Sequence, residues 1–253
     1  MINLMPRNGK DELIIVGGGT RGLGIAITDA YVAHGFHASL FHRQLDCINT
    51  KDREHIHFDL DDKVDLENLP ARLNQALLDL RAKKFVIHLI TGGGLGVNLD
   101  QATREQVERV FLHNALLPMI ISQEVLTFCN SFTDVHIDLF FYSSAVTQSF
   151  NGSPFYVAAK SALESFFKSF MKQASPNLSA FLLRLGHVDI AHKYFHDFSE
   201  QDPAGFADYL SKAVPTGYFT KPEEVAGFCV HLSANQGMFN GMECDLTGGH
   251  SWV

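Results

Sequence analysis

The chain has little of what marks several large classes of protein. Only four cysteines occur in its 253 residues, Cys47, Cys129, Cys229 and Cys244, and no two of them form a CxxC pair. A disulfide scaffold and a thiolate metal knuckle are therefore not indicated, and reduced, mostly buried thiols in a cytoplasmic protein are expected. Basic charge is also short: 20 Lys and Arg against 28 Asp and Glu leave a formal net charge of −8, with no basic block. A nucleic-acid backbone is a poor partner for such a surface. No uninterrupted apolar run reaches the ~18 residues that span a bilayer, so no membrane partner is expected. The opening MINLMPRNGK lacks the apolar stretch of a secretory signal. The 13 histidines are scattered, and His55 with His57, or His34 with His37, lacks a third ligand, so no metal site is expected. With 46% hydrophobic and 19% charged residues, intrinsic disorder is excluded as well.

What is present is an alternation of two kinds of segment. Short runs rich in branched residues lie at Leu13 to Val16, Ala38 to Phe41, Ile56 to Phe58, Phe85 to Ile90, Val135 to Tyr142, Ala180 to Leu185 and Met242 to Leu246. They have the length and composition of buried strands. Between them apolar residues recur at helical spacing, as in Leu23, Ile27 and Tyr31, in Val64 through Leu80, and in Val107 through Val125. Strand and helix repeated end to end predict an α/β fold: one doubly wound, Rossmann-type parallel sheet of about seven strands with helices on both faces, in a single domain over 1–253. Residues 191–215 break the rhythm. Tyr194, Phe195, Phe198, Phe206 and Tyr209, with Pro203 and Gly205 among them, predict short helices folded over a cleft as a lid. Their aromatics face either a ligand or the body of the protein.

The first strand runs into Val16-Gly17-Gly18-Gly19-Thr20-Arg21-Gly22-Leu23-Gly24, directly before an amphipathic helix. Glycines at 18, 22 and 24 suit a tight turn, a close approach of backbone to pyrophosphate at the helix N-terminus, and close packing of helix on strand. Thr20, Arg21 and Leu23 complete this candidate dinucleotide turn. The second strand ends in His42-Arg43, where an acid would bond the adenosine ribose hydroxyls. Arg43 and Arg21 instead offer two guanidinium groups to a 2′-phosphate, so NADP is expected over NAD. Asp59, past the third strand, either receives the adenine amino group or belongs to a helix-capping turn with Asp61 and Asp62.

Tyr156 and Lys160 stand four apart and share one helix face, where an ammonium can stabilise a phenolate. Upstream, Phe141-Tyr142-Ser143-Ser144-Ala145 ends a strand in two hydroxyls, and Asn114 lies within an otherwise apolar helix. A hydroxyl to hold a carbonyl, a Tyr acid and a Lys to tune it make a carbonyl-reducing site. Pro118 cannot donate the helical bond that the Asn114 carbonyl would otherwise accept, so the helix is expected to be broken there.

Together these residues resemble the short-chain dehydrogenase/reductase family, from about Glu12 to Ser251. Leu185-Gly186-His187-Val188-Asp189, Pro222-Glu223-Glu224-Val225-Ala226 and Leu246-Thr247-Gly248-Gly249 join the resemblance. It implies an NADP-dependent carbonyl reductase or alcohol dehydrogenase acting on a small molecule. Tyr156 would be the proton donor, Lys160 would bind the nicotinamide ribose and lower the Tyr pKa, and Asn114 would join a water relay. Val188 would meet the nicotinamide carboxamide, with Gly92 also at the cofactor. The resemblance further implies a homotetramer or homodimer that pairs the Asn114 and Tyr156 helices, with Phe155, Phe166, Phe167 and Phe170 as surplus apolar surface.

Three departures stand out. The family's Asn-Asn-Ala-Gly appears as Ile90-Thr91-Gly92-Gly93-Gly94, leaving the Thr91 hydroxyl in place of the asparagine that ties neighbouring strands. Leu185 replaces the Pro of the Pro-Gly turn. Ser144 fits the Ser-Ser-Ala pattern and is preferred as the catalytic serine, whereas Ser143 keeps the usual distance to Tyr156. The rival readings are a 3-oxoacyl-thioester reductase and a non-catalytic NAD(P)-sensing protein; an intact Asn114, Ser, Tyr156 and Lys160 set weighs against the latter.

Overall fold

The computed structural model describes residues 11–44, 48–93, 99–191 and 193–250. Cys47, Gly94, Ser251 and the first ten residues lie outside the described residues. The strands are β1 (Glu12–Val16), β2 (His37–His42), β3 (Arg53–His57), β4 (Lys84–Leu89), β5 (His136–Ser144), β6 (Leu178–Leu185) and β7 (Glu243–Leu246). They form one parallel sheet in the order β3-β2-β1-β4-β5-β6-β7. The chain starts at the centre and winds outward in both directions. The reversal between β1 and β4 opens a crevice at the carboxyl ends of the strands.

The helices are α1 (Gly22–Ala33), α2 (Lys63–Leu80), α3 (Arg104–Phe111), a π turn (Leu112–Leu116), α4 (Leu117–Ser131), α5 (Val146–Ser149) and α6 (Pro154–Met171). They continue with α7 (Tyr194–Gln201), α8 (Pro203–Ala213), α9 (Pro222–Ala234) and α10 (Gln236–Phe239). On one face of the sheet, Leu23, Ile27 and Tyr31 of α1 and Val225, Cys229 and Leu232 of α9 cover Leu13, Ile15, Leu40 and Val86. On the other, α2, α4 and α6 cover Ile14, Val16, Ile87 and Leu139. Adjacent strand residues are thus buried on opposite faces, which is why β1 and β2 read as continuous runs rather than alternations. Each such aliphatic side chain contributes roughly 1.5–3 kcal/mol by burial.

Of the four α6 phenylalanines that the sequence offers as surplus surface, two are buried in the core and Phe155 and Phe166 are half-buried. Phe167 and Phe170 are buried and pack edge-on against Phe141 of β5, with centroids 5.4 and 6.0 Å away. Phe155 belongs to a smaller cluster with Val110, Ala115 and Met119. The helical stretch Arg104–Ser131 is long and apolar enough by composition to cross a membrane. Here Leu117, Ile121, Val125 and Phe128 of that stretch are buried in the core beneath the sheet.

Candidate active site

The crevice holds a cavity of about 290 Å³ lined by Leu23, Gly92, Ser144, Tyr156, Lys160 and Val188, among others. Pro154 at the first turn of α6 starts the helix where an N–H is dispensable, and puts Tyr156 and Lys160 one turn apart at its cavity end. Ser144, the last residue of β5, lines the cavity beside Tyr156. Ser143 lines the same cavity and donates to Glu164 Oε1. The two serines that spacing left open thus both meet α6, Ser143 about two turns beyond Tyr156.

Burial pushes the Tyr156 phenol above its ordinary value, and the nearby Ser144 hydroxyl pulls it down without overcoming that rise. The Lys160 ammonium lies 5.8 Å from the Tyr156 ring centroid and donates to the Tyr142 carbonyl at 2.7 Å. Lys160 itself is buried, which lowers it to about 8 against the opposing charge of Glu164.

Asn114 sits in the π turn, whose wider register has the Leu117 N–H donating to the Leu112 carbonyl. The break thus falls one turn before Pro118, which occupies the start of α4. The Asn114 amide donates to the carbonyls of Val110 at 2.9 Å and Gly93 at 3.2 Å, while its Oδ1 is buried with no hydrogen-bond partner among the described residues. Thr91 donates to the His113 carbonyl at 2.7 Å, so its hydroxyl fastens the end of β4 to the π turn. Gly92 lies between these groups. A Cβ there would collide with Asn114 Oδ1 and stand 2.9 Å from Lys160 Nζ.

At the glycine-rich turn, Gly18 and Gly22 have φ of 58° and 55°, and a Cβ on Gly24 would overlap the Gly18 carbonyl. α1 begins without a side-chain cap at Arg21 and without an acid in its first turn, leaving its N–H groups open to an anion. Thr20 is half-buried, Arg21 exposed and Leu23 buried. Ile190 lies over the turn, its Cγ2 2.7 Å from where a Gly22 Cβ would be.

Arg43 is exposed at the end of β2, and an acid does reach it: Asp61 Oδ2 lies 3.6 Å from its Nη1. The same carboxylate accepts two bonds from Arg109, at 2.9 and 2.7 Å, and has His113 Nε2 at 3.5 Å. Sequence reasoning missed this convergence because Arg109 comes from a distant helix. Asp62, not Asp59, caps α2 by accepting from the Asp65 N–H; half-buried Asp59 accepts from the Asp61 N–H one turn earlier.

A second cavity, of about 390 Å³, shares Ser144, Leu185, Gly186, His187 and Phe195 with the first and extends under α7 and α8 to Tyr209, Lys212 and His250. The aromatics of these helices do both things that the sequence left open. Phe198, Phe206 and Phe219 pack on one another and on Leu210, whereas Phe195 and Tyr209 also line the cavity. His187, which sequence reasoning did not single out, meets the Tyr209 hydroxyl at 2.7 Å, and burial keeps it neutral with a pKa of about 4. Its position directly after Gly186 was the available signal. Val188 is bridged to Thr220, which fixes the turn after β6.

A family model of short chain dehydrogenases matches residues 12–191. No curated protein matches the chain. Among solved structures, a short-chain dehydrogenase/reductase from Serratia marcescens superposes with a TM-score of 0.76 at 21% identity, covering 98% of this chain and 100% of its own. A 4-hydroxyisoleucine dehydrogenase complexed with NADH gives 0.77 at 17% identity over 94% and 98% of the two chains. The aldohexose dehydrogenase of Thermoplasma acidophilum gives 0.77 at 16% over 96% and 95%. At these identities the superpositions establish the fold, and the family rests on the match from the first strand through the Gly-rich turn, the serines, Tyr156 and Lys160. The chain belongs to the short-chain dehydrogenase family.

Proposed function

We propose that the protein is an NADP-dependent oxidoreductase that exchanges a hydride between nicotinamide and the carbonyl or alcohol carbon of a small molecule. The observation that carries this reading is the convergence of Ser144, Tyr156 and the buried Lys160 on one cavity. A dinucleotide suits the residues present, because the open N-terminus of α1 and the left-handed Gly18 and Gly22 let phosphate oxygens approach backbone N–H groups. Gly18, Thr20, Arg21, Gly22, Leu23 and Gly24 would hold the pyrophosphate, Arg21 and Arg43 the 2′-phosphate, and Asp59 the adenine. Gly92, Lys160 and Val188 would hold the nicotinamide riboside. When bound, the nicotinamide supplies or accepts the hydride.

Ser144 holds the substrate oxygen and Tyr156 gives it a proton in reduction. The raised phenol pKa keeps Tyr156 protonated near neutral pH, so its acid form is ready, whereas oxidation needs the phenolate and gains as pH rises. Asn114 Oδ1, buried and without a partner among the described residues, suits a water that returns the proton to Tyr156 by way of Lys160. The α7 and α8 helices act as the substrate lid. The NADH held by the 4-hydroxyisoleucine dehydrogenase supports a nicotinamide cofactor, and the choice of NADP rests on Arg21 and Arg43. The test is oxidation of NADPH, with NADH alongside, against a panel of ketones, aldehydes and acyl thioesters. Carbonyl-dependent oxidation of NADPH is expected, and none with either nucleotide overturns the reading.

A further inference from the structure

Behind the Ser144–Tyr156 pair lies a buried cluster that the reaction just described does not use. Glu164 stands on α6 one turn after Lys160 and two turns after Tyr156. Its Oε1 accepts from the hydroxyls of Ser143 and Thr147, the latter at 2.7 Å, and its Oε2 accepts from Arg184 Nη2 at 2.9 Å. Ser143 and Thr147 flank the segment that carries Ser144. Arg184 of β6 is the register partner of Ser143 on β5, and it also pairs with Glu243 and, at 3.2 Å, with Asp245 of β7. We propose that Glu164 is a positioning residue, which sets the approach of Ser144 to Tyr156 by tying the serine-bearing turn to the helix that carries the tyrosine. The inference rests on the oxidoreductase reading for its kinetic consequence, though not for its geometry.

The physical case is one of geometry against cost. The Arg184 and Glu164 side chains are only 8% and 11% exposed, and burying an ion pair is costly enough that apolar residues of the same volume would serve stability as well. What a carboxylate adds is three donors converging from three elements on one group, which leaves the turn a single orientation relative to α6. Glu164 stays ionised: burial pushes its pKa up, but the bonds from Arg184, Ser143 and Thr147 and the Arg184 charge outweigh that and hold it below the usual carboxylate value. Leu185 follows Arg184 directly, so the same cluster anchors the strand end that forms part of both cavities.

The test uses a Ser143→Ala/Thr147→Val double variant, which keeps the Glu164–Arg184 pair, with Glu164→Gln as a second probe. The double variant is expected to lose roughly 10-fold in kcat with cofactor affinity unchanged, since displacements of under about 1 Å at reacting groups have effects of this order. In a Ser144→Ala background the same two substitutions are expected to change kcat by less than about 2-fold, because the tie acts through Ser144. Equal losses in both backgrounds would mark a merely structural role and overturn the proposal. Crystal structures of wild type and double variant decide the matter without any substrate. A Ser144–Tyr156 separation longer in the variant than in the wild type supports the tie, and an unchanged separation overturns it. A wild type that turns over nothing would sink the oxidoreductase reading and leave this comparison intact.

Discussion

Arg43 offers a quantitative test of cofactor choice, because Asp61 competes for it. The two groups are 3.6 Å apart and their side chains are 63% and 34% exposed. Solvent screening limits such a pair to ~1 kcal/mol or less. Asp61 does not depend on Arg43, since Arg109 holds it through two bonds at 2.9 and 2.7 Å. A charge-assisted bond from a guanidinium to phosphate contributes ~1.5–3 kcal/mol, so a 2′-phosphate wins Arg43 from Asp61. After allowance for the pair given up, Arg43→Ala should cost NADPH about 1–2.5 kcal/mol, or roughly 5- to 70-fold in Kd. NADH, with no phosphate there, should change by less than about 2-fold. Asp61→Asn should act oppositely and tighten NADPH alone. The assay is fluorescence titration of both nucleotides at fixed ionic strength, because these contributions are salt-dependent. Equal weakening of the two by Arg43→Ala, or tighter binding of NADH by the wild type, would refute the reasoning.

Gly92→Ala drives a methyl group into Asn114 Oδ1 and to 2.9 Å from Lys160 Nζ, so steady-state kinetics should register a loss of roughly 10- to 100-fold in kcat. Unaltered turnover would show that these groups need not meet. Pro118→Ala restores an N–H that can donate to the Asn114 carbonyl; turnover is expected to fall while cofactor affinity holds, and an unchanged rate in a variant with that bond formed rules the idea out. Stability should also fall in acid. Burial lowers His88 to about 3 and His187 to about 4, below the 6.5 of the unfolded chain. Their contribution is therefore complete above pH 6.5 and is lost as pH drops toward those values, by up to ~1.4 kcal/mol per pH unit for each group. Denaturant unfolding between neutral and mildly acid pH should show this slope, and His88→Gln should flatten it; identical slopes would dismiss the assignment.

The fold was legible because a parallel sheet buries both faces of its strands, so Leu13 to Val16 and Ala38 to Phe41 announce themselves as runs. The doubly wound parallel sheet followed from the alternation with helices, and the Gly18, Gly22 and Gly24 turn from the tight backbone approach it serves. The π turn left no hydrophobic signature, since one wider turn does not disturb periodicity over a stretch of 28 residues; only Pro118 marked the break. Ser143 and Ser144 stayed ambiguous in sequence because spacing cannot tell which part of α6 each of two neighbours meets, and the structure takes Ser143 to Glu164. Asp61, Arg109 and His113, or Glu164, Arg184 and Asp245, are brought together by the winding of the chain. Each is an ordinary charged residue where it stands in sequence, and only the crossings between strands make them partners.

The most direct test of the central claim is to follow the hydride itself, with NADPH deuterated at the transferable position of nicotinamide C4 and a ketone from the panel that the wild type reduces. The product alcohol should carry deuterium on its carbinol carbon, and Tyr156→Phe, which binds the nucleotide but has no proton to give, should form almost none. Alcohol without deuterium at that carbon, or deuterated alcohol formed by Tyr156→Phe at the wild-type rate, would contradict the account.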